Sequence, residues 1–239
     1  MIKVISLDFW NTIVDTSNSE TRRQLRLNRF YDLCRIYRPE IVKKDIENAI
    51  KNSIFWFETI WENEHRTVLS EDIINYILNE LNFIPSEKDF DLTKRIFECG
   101  VLEAEPELAP EIETALAKLS SKFQIGIISD THFSPGKVLR QLLEQKNMLH
   151  YFSAYSFSDE QGVSKPHPKM YQNIMSELGC GPQEMIHIGD MNRTDISGAK
   201  NLGISSILYT GINSQDSNTF TADFEANSWS EIEAILSEF

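Results

Sequence analysis

Short β-branched apolar runs that stop at a polar or acidic residue constrain this chain more than any other feature. Ile2-Lys3-Val4-Ile5-Ser6-Leu7 runs into Asp8, Phe123-Gln124-Ile125-Gly126-Ile127-Ile128 into Ser129, and Met185-Ile186-His187-Ile188 into Gly189-Asp190. Residues 152–157 and 204–209 have the same texture. Runs of this length and content read as buried strands. From about residue 105 onward they alternate with helix-length segments, which is the pattern of a doubly wound parallel α/β sheet. Ligands of such sheets sit beyond the carboxyl ends of the strands, so Asp8, Ser129 and Asp190 are expected along one edge.

Residues 16–103 have no strand texture. Apolar residues recur there at helical spacing: Leu25, Leu27, Phe30 and Leu33, then Ile46, Ile50, Ile54 and Phe57, then Ile73, Ile74, Ile77, Leu78 and Leu81. Ser70 and Ser86 are expected as helix N-caps, Ser86 forming a capping box with Asp89. The spacing predicts a helical bundle over residues 16–103, inserted into a core made of residues 1–15 and 104–239. In the core, Ser134 is expected to cap a helix with Pro135 in its first turn. Pro168 opens another that ends near Gly179, and residues 194–202 form a third, closed by Gly203. Residues 212–219 read as a polar loop, 222–226 as an edge strand and 230–236 as a last helix.

A chain of 239 residues, 41% of them hydrophobic, can build this core and its insertion. Its net charge of −13 carries no basic surface of the kind nucleic acids need. Cys34, Cys99 and Cys180 are dispersed and fit neither a zinc spacing nor a disulfide framework. No apolar run reaches the length of a membrane span, and the chain passes from Met1 into a strand without a leader pattern. A cytoplasmic protein, monomeric or homodimeric, without membrane or nucleic-acid partners is expected.

The ordered set Asp8-Phe9-Trp10-Asn11-Thr12, Ser129, Lys165-Pro166-His167-Pro168 and Gly189-Asp190-Met191-Asn192-Arg193-Thr194-Asp195 resembles the four motifs of the haloacid dehalogenase-like superfamily, a group made up mostly of phosphate-ester hydrolases. The resemblance implies a Rossmann-like core and an α-helical cap that closes over the site and selects the substrate. It implies Asp8 as the nucleophile, attacking phosphorus to give an aspartyl-phosphate. Mg²⁺ is the implied cofactor, held by Asp8, Asp190, the backbone carbonyl of Trp10 and, as an outer-shell or water-mediated partner, Asp195. Ser129, with Thr12 and Asp130 beside the substrate, would meet the phosphoryl oxygens. Lys165 would neutralise charge between nucleophile and phosphate. The implied substrate is small, anionic and phosphorylated.

Two positions depart from that pattern. Phosphatases of the family usually carry a second Asp two residues after the nucleophile, to protonate the leaving group and activate water. Here Trp10 stands there, and losing such an acid–base costs roughly 10²–10⁴-fold. Asn11 replaces a usual Gly, a change softened by the tolerance of Asn for left-handed backbone. Three readings compete: a Mg²⁺-dependent phosphohydrolase with another proton donor, a 2-haloacid dehalogenase, or an idle site that binds a phosphorylated ligand. Dehalogenases of the family have an aromatic residue at the Trp10 position but lack the acid at Asp190, which favours the first reading. Asp130, His132, Glu58 and His65 are the candidate replacement donors. Phe55, Trp56 and Phe57 are expected in the bundle core, with a ligand pocket as the other option. Arg22, Arg23, Arg26 and Arg29 are expected on a solvated helix face, unless one of them reaches an anionic substrate tail. Residues 14–17 and 103–106, where the chain crosses between core and insertion, are the expected hinge.

Overall fold

The computed structural model describes residues 1–217 and 221–239. In chain order its elements are β1 (Val4–Leu7), α1 (Ser19–Tyr37), α2 (Lys43–Glu64), α3 (Ser70–Glu80), α4 (Glu87–Glu103), α5 (Ile112–Leu119), β2 (Gln124–Ser129), α6 (Gly136–Gln145), β3 (Ala154–Phe157) and α7 (Ser158–Gln161). There follow α8 (Pro168–Leu178), β4 (Met185–Gly189), α9 (Ser197–Asn201), β5 (Ser205–Tyr209), β6 (Phe224–Ala226) and α10 (Trp229–Leu236). The strands form one sheet in the order β3-β2-β1-β4-β5-β6, with every pairing parallel. The expected α/β sheet is therefore present. Its strand order reverses at β1, so the crevice outside β1 and its neighbours is the place such sheets offer a ligand.

Register fixes which residues meet there. Leu7 lies opposite both Ile127 and Ile188, and the Asp8 amide extends the ladder to the Ile188 carbonyl at 2.9 Å. Ser129 and Asp190 thus stand level with each other and one residue beyond Asp8, at the same edge of three adjacent strands. Apolar side chains of β1, β2 and β4 are fully buried between two helical layers, α5, α6 and α10 on one face and α8 and α9 on the other.

Helices α1–α4 carry a separate apolar core, built around Leu27, Phe30, Leu33, Ile73, Ile77 and Phe97. Buried Arg29 ties α1 to α4, donating to Asp89 Oδ1 at 2.7 Å and Thr93 Oγ1 at 3.0 Å. The chain crosses between this bundle and the sheet twice, and the crossings are laced together. The Asp15 carboxylate accepts from the Ser17 and Glu107 amides, both at 2.9 Å, while Arg22 donates to the Ser17 and Ala104 carbonyls at 2.8 and 2.7 Å.

Helix ends differ in detail from the sequence expectation. Ser86 does cap α4, accepting from the Asp89 amide at 3.2 Å, but the reciprocal arm of the box is not made because the Ser86 amide donates to the Tyr37 hydroxyl instead. Ser70 is the first residue of α3 rather than its cap, and its hydroxyl donates to Glu98 Oε1 on α4 at 2.7 Å. Pro135, not Ser134, precedes α6, and the Asp159 carboxylate serves the free Gly136 amide at 3.1 Å. The segment expected as one helix over 194–202 begins as a π-helical turn, Asn192–Ile196, before α9. Of the polar loop expected over 212–219, residues 218 and 219 lie outside the described residues. The edge strand and last helix stand close to where they were expected, as β6 and α10.

Candidate active site

The turn after β1 is tight. The Ile13 and Val14 amides both return to the Phe9 carbonyl, at 2.9 and 3.1 Å, and Asn11 adopts the left-handed conformation with φ of 55°. Asp8 is held buried at its start. Trp10 packs edge-on against Phe9, with the Arg22 guanidinium 5.8 Å from its ring centre, so its indole faces the bundle. Thr12 is fully buried, and its hydroxyl has no hydrogen-bond partner among the described residues.

Lys165 joins the motifs. Its buried ammonium donates to Asp8 Oδ1 at 2.6 Å and to Asp195 Oδ1 at 2.7 Å. Asp195 Oδ1 also meets His187 Nε2 at 3.1 Å, and His187 Nδ1 meets Ser6 Oγ at 2.8 Å. A carboxylate only accepts, so the Nε2 proton donates to Asp195 and Nδ1 accepts from Ser6. Asp195 Oδ2 takes the Met191 amide at 3.1 Å and the Thr194 hydroxyl at 3.2 Å. Asp190 is held from two sides, by Asn213 Nδ2 at 2.8 Å and Asn11 Nδ2 at 3.2 Å, both on Oδ2.

Asp8, Asp190 and Asp195 can present one oxygen each within 4.8 Å of one another. Three buried carboxylates face one ammonium, and the electrostatics record the surplus. Burial raises the Asp8 carboxyl well above the usual range; Asp195 and Asp190 add to this against the pull of Lys165. Burial and then Asp195 push Asp190 up to about 6, against the hydrogen bonds of its two asparagines. Burial would raise Asp195 too, but Lys165 and His187 outweigh it and hold that carboxyl well below the ordinary value. Burial also lowers His187, keeping the imidazole neutral, so it adds no second positive charge.

Gly189 is required by this packing. A Cβ there would lie 2.3 Å from Asp195 Cγ. Gly189→Ala is expected to cost about 1–3 kcal/mol of stability by overpacking and to lower turnover about 10²-fold by displacing Asp195 and Lys165. Thermal unfolding beside steady-state kinetics checks this, and an Ala variant with wild-type values would contradict it.

Ser129 ends β2 fully buried, and among the described residues its hydroxyl makes only a long 3.4 Å contact to the Asp130 carbonyl. Asp130 is a strut rather than a free acid. Its Oδ2 accepts from Trp61 Nε1 on α2 at 2.9 Å and its Oδ1 from the Lys165 amide at 2.9 Å. His132, expected as a loop donor, is stacked between Phe57 and Phe133, with centroids 4.0 and 3.7 Å away. Burial, with Arg26 adding, drives it down to about 3, so it is neutral near pH 7 and has no proton to give there. Glu58 is exposed and lines a groove on α2 with Arg23 and Lys51, apart from the carboxylate cluster. His65 closes α2, and its carbonyl accepts from the Ser164 amide at 2.7 Å, one residue before Lys165. Its Nδ1 is buried and unpartnered among the described residues.

The cap aromatics and arginines separate. Phe57 is buried as expected, Trp56 stacks on Tyr76 at 5.0 Å, and Phe55 is 72% exposed, outside the bundle core and lining the same α2 groove as Glu58. Only Arg23 behaves as a solvated helix residue, paired with Glu20 at 2.7 Å. Arg22 and Arg29 are buried and spoken for, and Arg26 lies against the rings of Phe133 and Phe97. Sequence reading missed Asn213, His187, Trp61 and Arg193. His187 gave a signal, a polar residue inside an apolar strand. Arg193, inside the fourth motif, stacks on Trp61 at 4.1 Å with both Nη atoms buried and unpartnered among the described residues.

Comparison with known proteins agrees with this layout. A family model described as haloacid dehalogenase-like hydrolase matches residues 2–203. The chain is 27% identical over 217 residues to a glyceraldehyde 3-phosphate phosphatase of Pyrococcus furiosus, covering 87% of this chain and 80% of that protein. It is 29% identical over 154 residues to a phosphoglycolate phosphatase of Salmonella typhimurium, covering 63% and 59%. Among solved structures, a 2-haloacid dehalogenase from Pseudomonas syringae superposes with a TM-score of 0.71 at 17% identity, covering 100% of this chain and 99% of that one, a likeness of fold.

Proposed function

The chain belongs to the haloacid dehalogenase-like hydrolase family, and from that premise we propose that it is a Mg²⁺-dependent phosphomonoesterase in which Asp8 is the nucleophile. The observation that carries this reading is the charge surplus at the strand tips: three buried carboxylates around a single ammonium. A metal-free dehalogenase has no use for the acid at Asp190. The aromatic at Trp10 is what speaks for that second reading.

The donor set fits a hard divalent cation. Among the described residues, Asp8 Oδ2 and Asp190 Oδ1 accept no hydrogen bond, whereas both oxygens of Asp195 are committed. Asp8, Asp190 and the Trp10 carbonyl would therefore hold the ion, with Asp195 supporting from outside. When bound, Mg²⁺ offsets the surplus charge and polarises phosphoryl oxygens.

The remaining steps belong to this chain's own groups. Asp8 forms a bond to phosphorus as the bond to the leaving oxygen breaks, and that oxygen takes its proton from solvent water. The Thr12 and Ser129 hydroxyls, one unpartnered and one nearly so, are donors for the phosphoryl oxygens. Lys165 fixes the nucleophile's other oxygen and balances charge as it develops. Water then attacks phosphorus, releasing phosphate and restoring Asp8. Trp10 can neither donate nor accept the protons these steps move, so hydrolysis of the aspartyl-phosphate is slow. We read residues 16–103 as a cap over a core of residues 1–15 and 104–239. Trp61 on Asp130 and Phe57 on His132 are its closing contacts.

An aryl phosphate is expected to be hydrolysed with Mg²⁺ and left intact with chelator. Halide release from a 2-haloacid under chelator, without phosphatase activity, would instead select the second reading. The raised carboxyl of Asp190 sets a pH dependence. Below about 6 it takes up a proton and loses its charge for the ion. Half-saturating Mg²⁺ is expected to rise as the pH falls, by at least about tenfold per unit below 6, because Asp8, also raised by burial, competes for protons beside Asp190. Mg²⁺ titrations of activity between pH 5 and 8 check this, and equal requirements at both ends would contradict it.

A further inference from the structure

A cavity of about 260 Å³ lies where α1 faces the loops after β1 and β2, touching Trp10 and Asp130 of the site as well as Arg22 and Arg26 of the bundle. Its volume suits a group of a few heavy atoms. Its charge is one-sided. Among the described residues Asp130 is the one acid in its lining, and that carboxylate is already held by Trp61 and the Lys165 amide.

The four arginines of α1 differ in what they hold. Arg22 is committed to two hinge carbonyls, Arg23 to Glu20 and Arg29 to Asp89. Arg26 has no oxygen partner among the described residues. Its guanidinium lies 4.2 Å from the centre of the Phe133 ring and 5.9 Å from that of Phe97. Burial, with Arg22 and Arg23 adding like charge, lowers it to about 10 without removing its charge near neutrality. In a chain with 36 acidic side chains against 23 basic ones, a largely buried arginine left without an acid points to a partner that comes from outside.

We propose that Arg26 is the specificity residue of this cavity, and that the phosphomonoester carries a carboxylate at the end remote from the phosphoryl group. The inference rests on the phosphomonoesterase reading above. A planar carboxylate matches a single guanidinium fork, and among the described residues no oxygen occupies the fork of Arg26. A second phosphate is a poorer match: it brings more charge than one free arginine offsets, into a cavity of this size beside Asp130.

The test compares the terminal phosphate esters of glycerate and glycerol, which differ by a carboxylate against a hydroxymethyl. A charge-assisted hydrogen bond predicts that the wild-type enzyme prefers the glycerate ester by about 10–100-fold in kcat/KM. Arg26→Gln is expected to collapse that ratio toward one, Arg26→Lys to keep part of it, and Arg23→Gln, on the outer face, to keep all of it. Should Arg26→Gln fail to fold, the Lys variant and the wild-type ratio still decide. A wild-type preference for the glycerol ester, or an undiminished ratio in Arg26→Gln, overturns the inference while leaving the phosphomonoesterase reading standing. Hydrolysis of other phosphomonoesters but neither of these does the same. No Mg²⁺-dependent hydrolysis of any phosphomonoester overturns both.

Discussion

Asp8→Asn is expected to lower phosphomonoester turnover by at least about 10⁴-fold, the scale on which loss of a nucleophile is felt. The same substitution is expected to make the metal-free protein more stable by about 0.5–2 kcal/mol near neutral pH, as catalytic groups held under strain commonly do. The reason is the surplus charge. Burial and two neighbouring carboxylates raise the Asp8 carboxyl, so ionised Asp8 is an unfavourable part of the native state. The native state therefore binds this proton more readily than the unfolded chain. The penalty is full above the native value and is relieved as the pH falls through it. Asn imitates the protonated form, so the advantage of the variant should shrink on acidification. Urea unfolding of both proteins at two pH values, with chelator, reads this directly. A variant less stable than wild type at pH 7 would mean that Asp8 is there to hold Lys165 and not to react.

Lys165→Met is expected to have the opposite signature, losing stability as well as activity. It leaves Asp8, Asp190 and Asp195 buried around an apolar chain, and removing one partner of a buried pair costs about 3–5 kcal/mol. Turnover should fall about 10²–10³-fold, the usual cost of removing a fixed charge or donor at a developing negative centre. The sign of the pH effect follows from Asp195. Lys165 and His187 hold its native carboxyl below the ordinary value. The stability this supplies is full above about pH 4 and is lost as the pH falls through the native value. Without Lys165 that share is gone, so the gap between variant and wild type is largest near neutrality and closes in acid. Chemical unfolding from pH 7 down to about pH 2 checks it. A constant gap would place the role of Lys165 in packing alone.

The sheet and the positions of the site residues were legible because both depend on local pattern. β-Branched runs specify strands, and in a parallel sheet the residue after each run must emerge at the same edge; Asp8, Ser129 and Asp190 follow from that alone. The bundle was legible for the same reason, from helical spacing. What stayed hidden depends on partners far along the chain. Asp130 looks like a free loop acid until Trp61, 69 residues earlier, donates to it. His132 looks like a solvated histidine until Phe57 of the bundle covers it. Ser70 has the sequence context of a helix cap, but Glu98 takes its hydroxyl. The arginines of α1 form one charge cluster in sequence and four different environments in the fold. Asn213 sits in a polar loop with nothing nearby to mark it, yet it holds Asp190.

Transfer of the phosphoryl group to Asp8 is accessible to a direct measurement, because no acid–base stands at Trp10 to hasten its hydrolysis. The enzyme is mixed with an aryl phosphate and Mg²⁺, quenched in acid during turnover, and the peptide containing Asp8 is weighed by mass spectrometry. Slow hydrolysis of the intermediate predicts that a large fraction of Asp8 carries a phosphoryl group, preceded by a burst of released phenol. Turnover with Asp8 unmodified throughout, or with the phosphoryl group on another residue, would contradict the account.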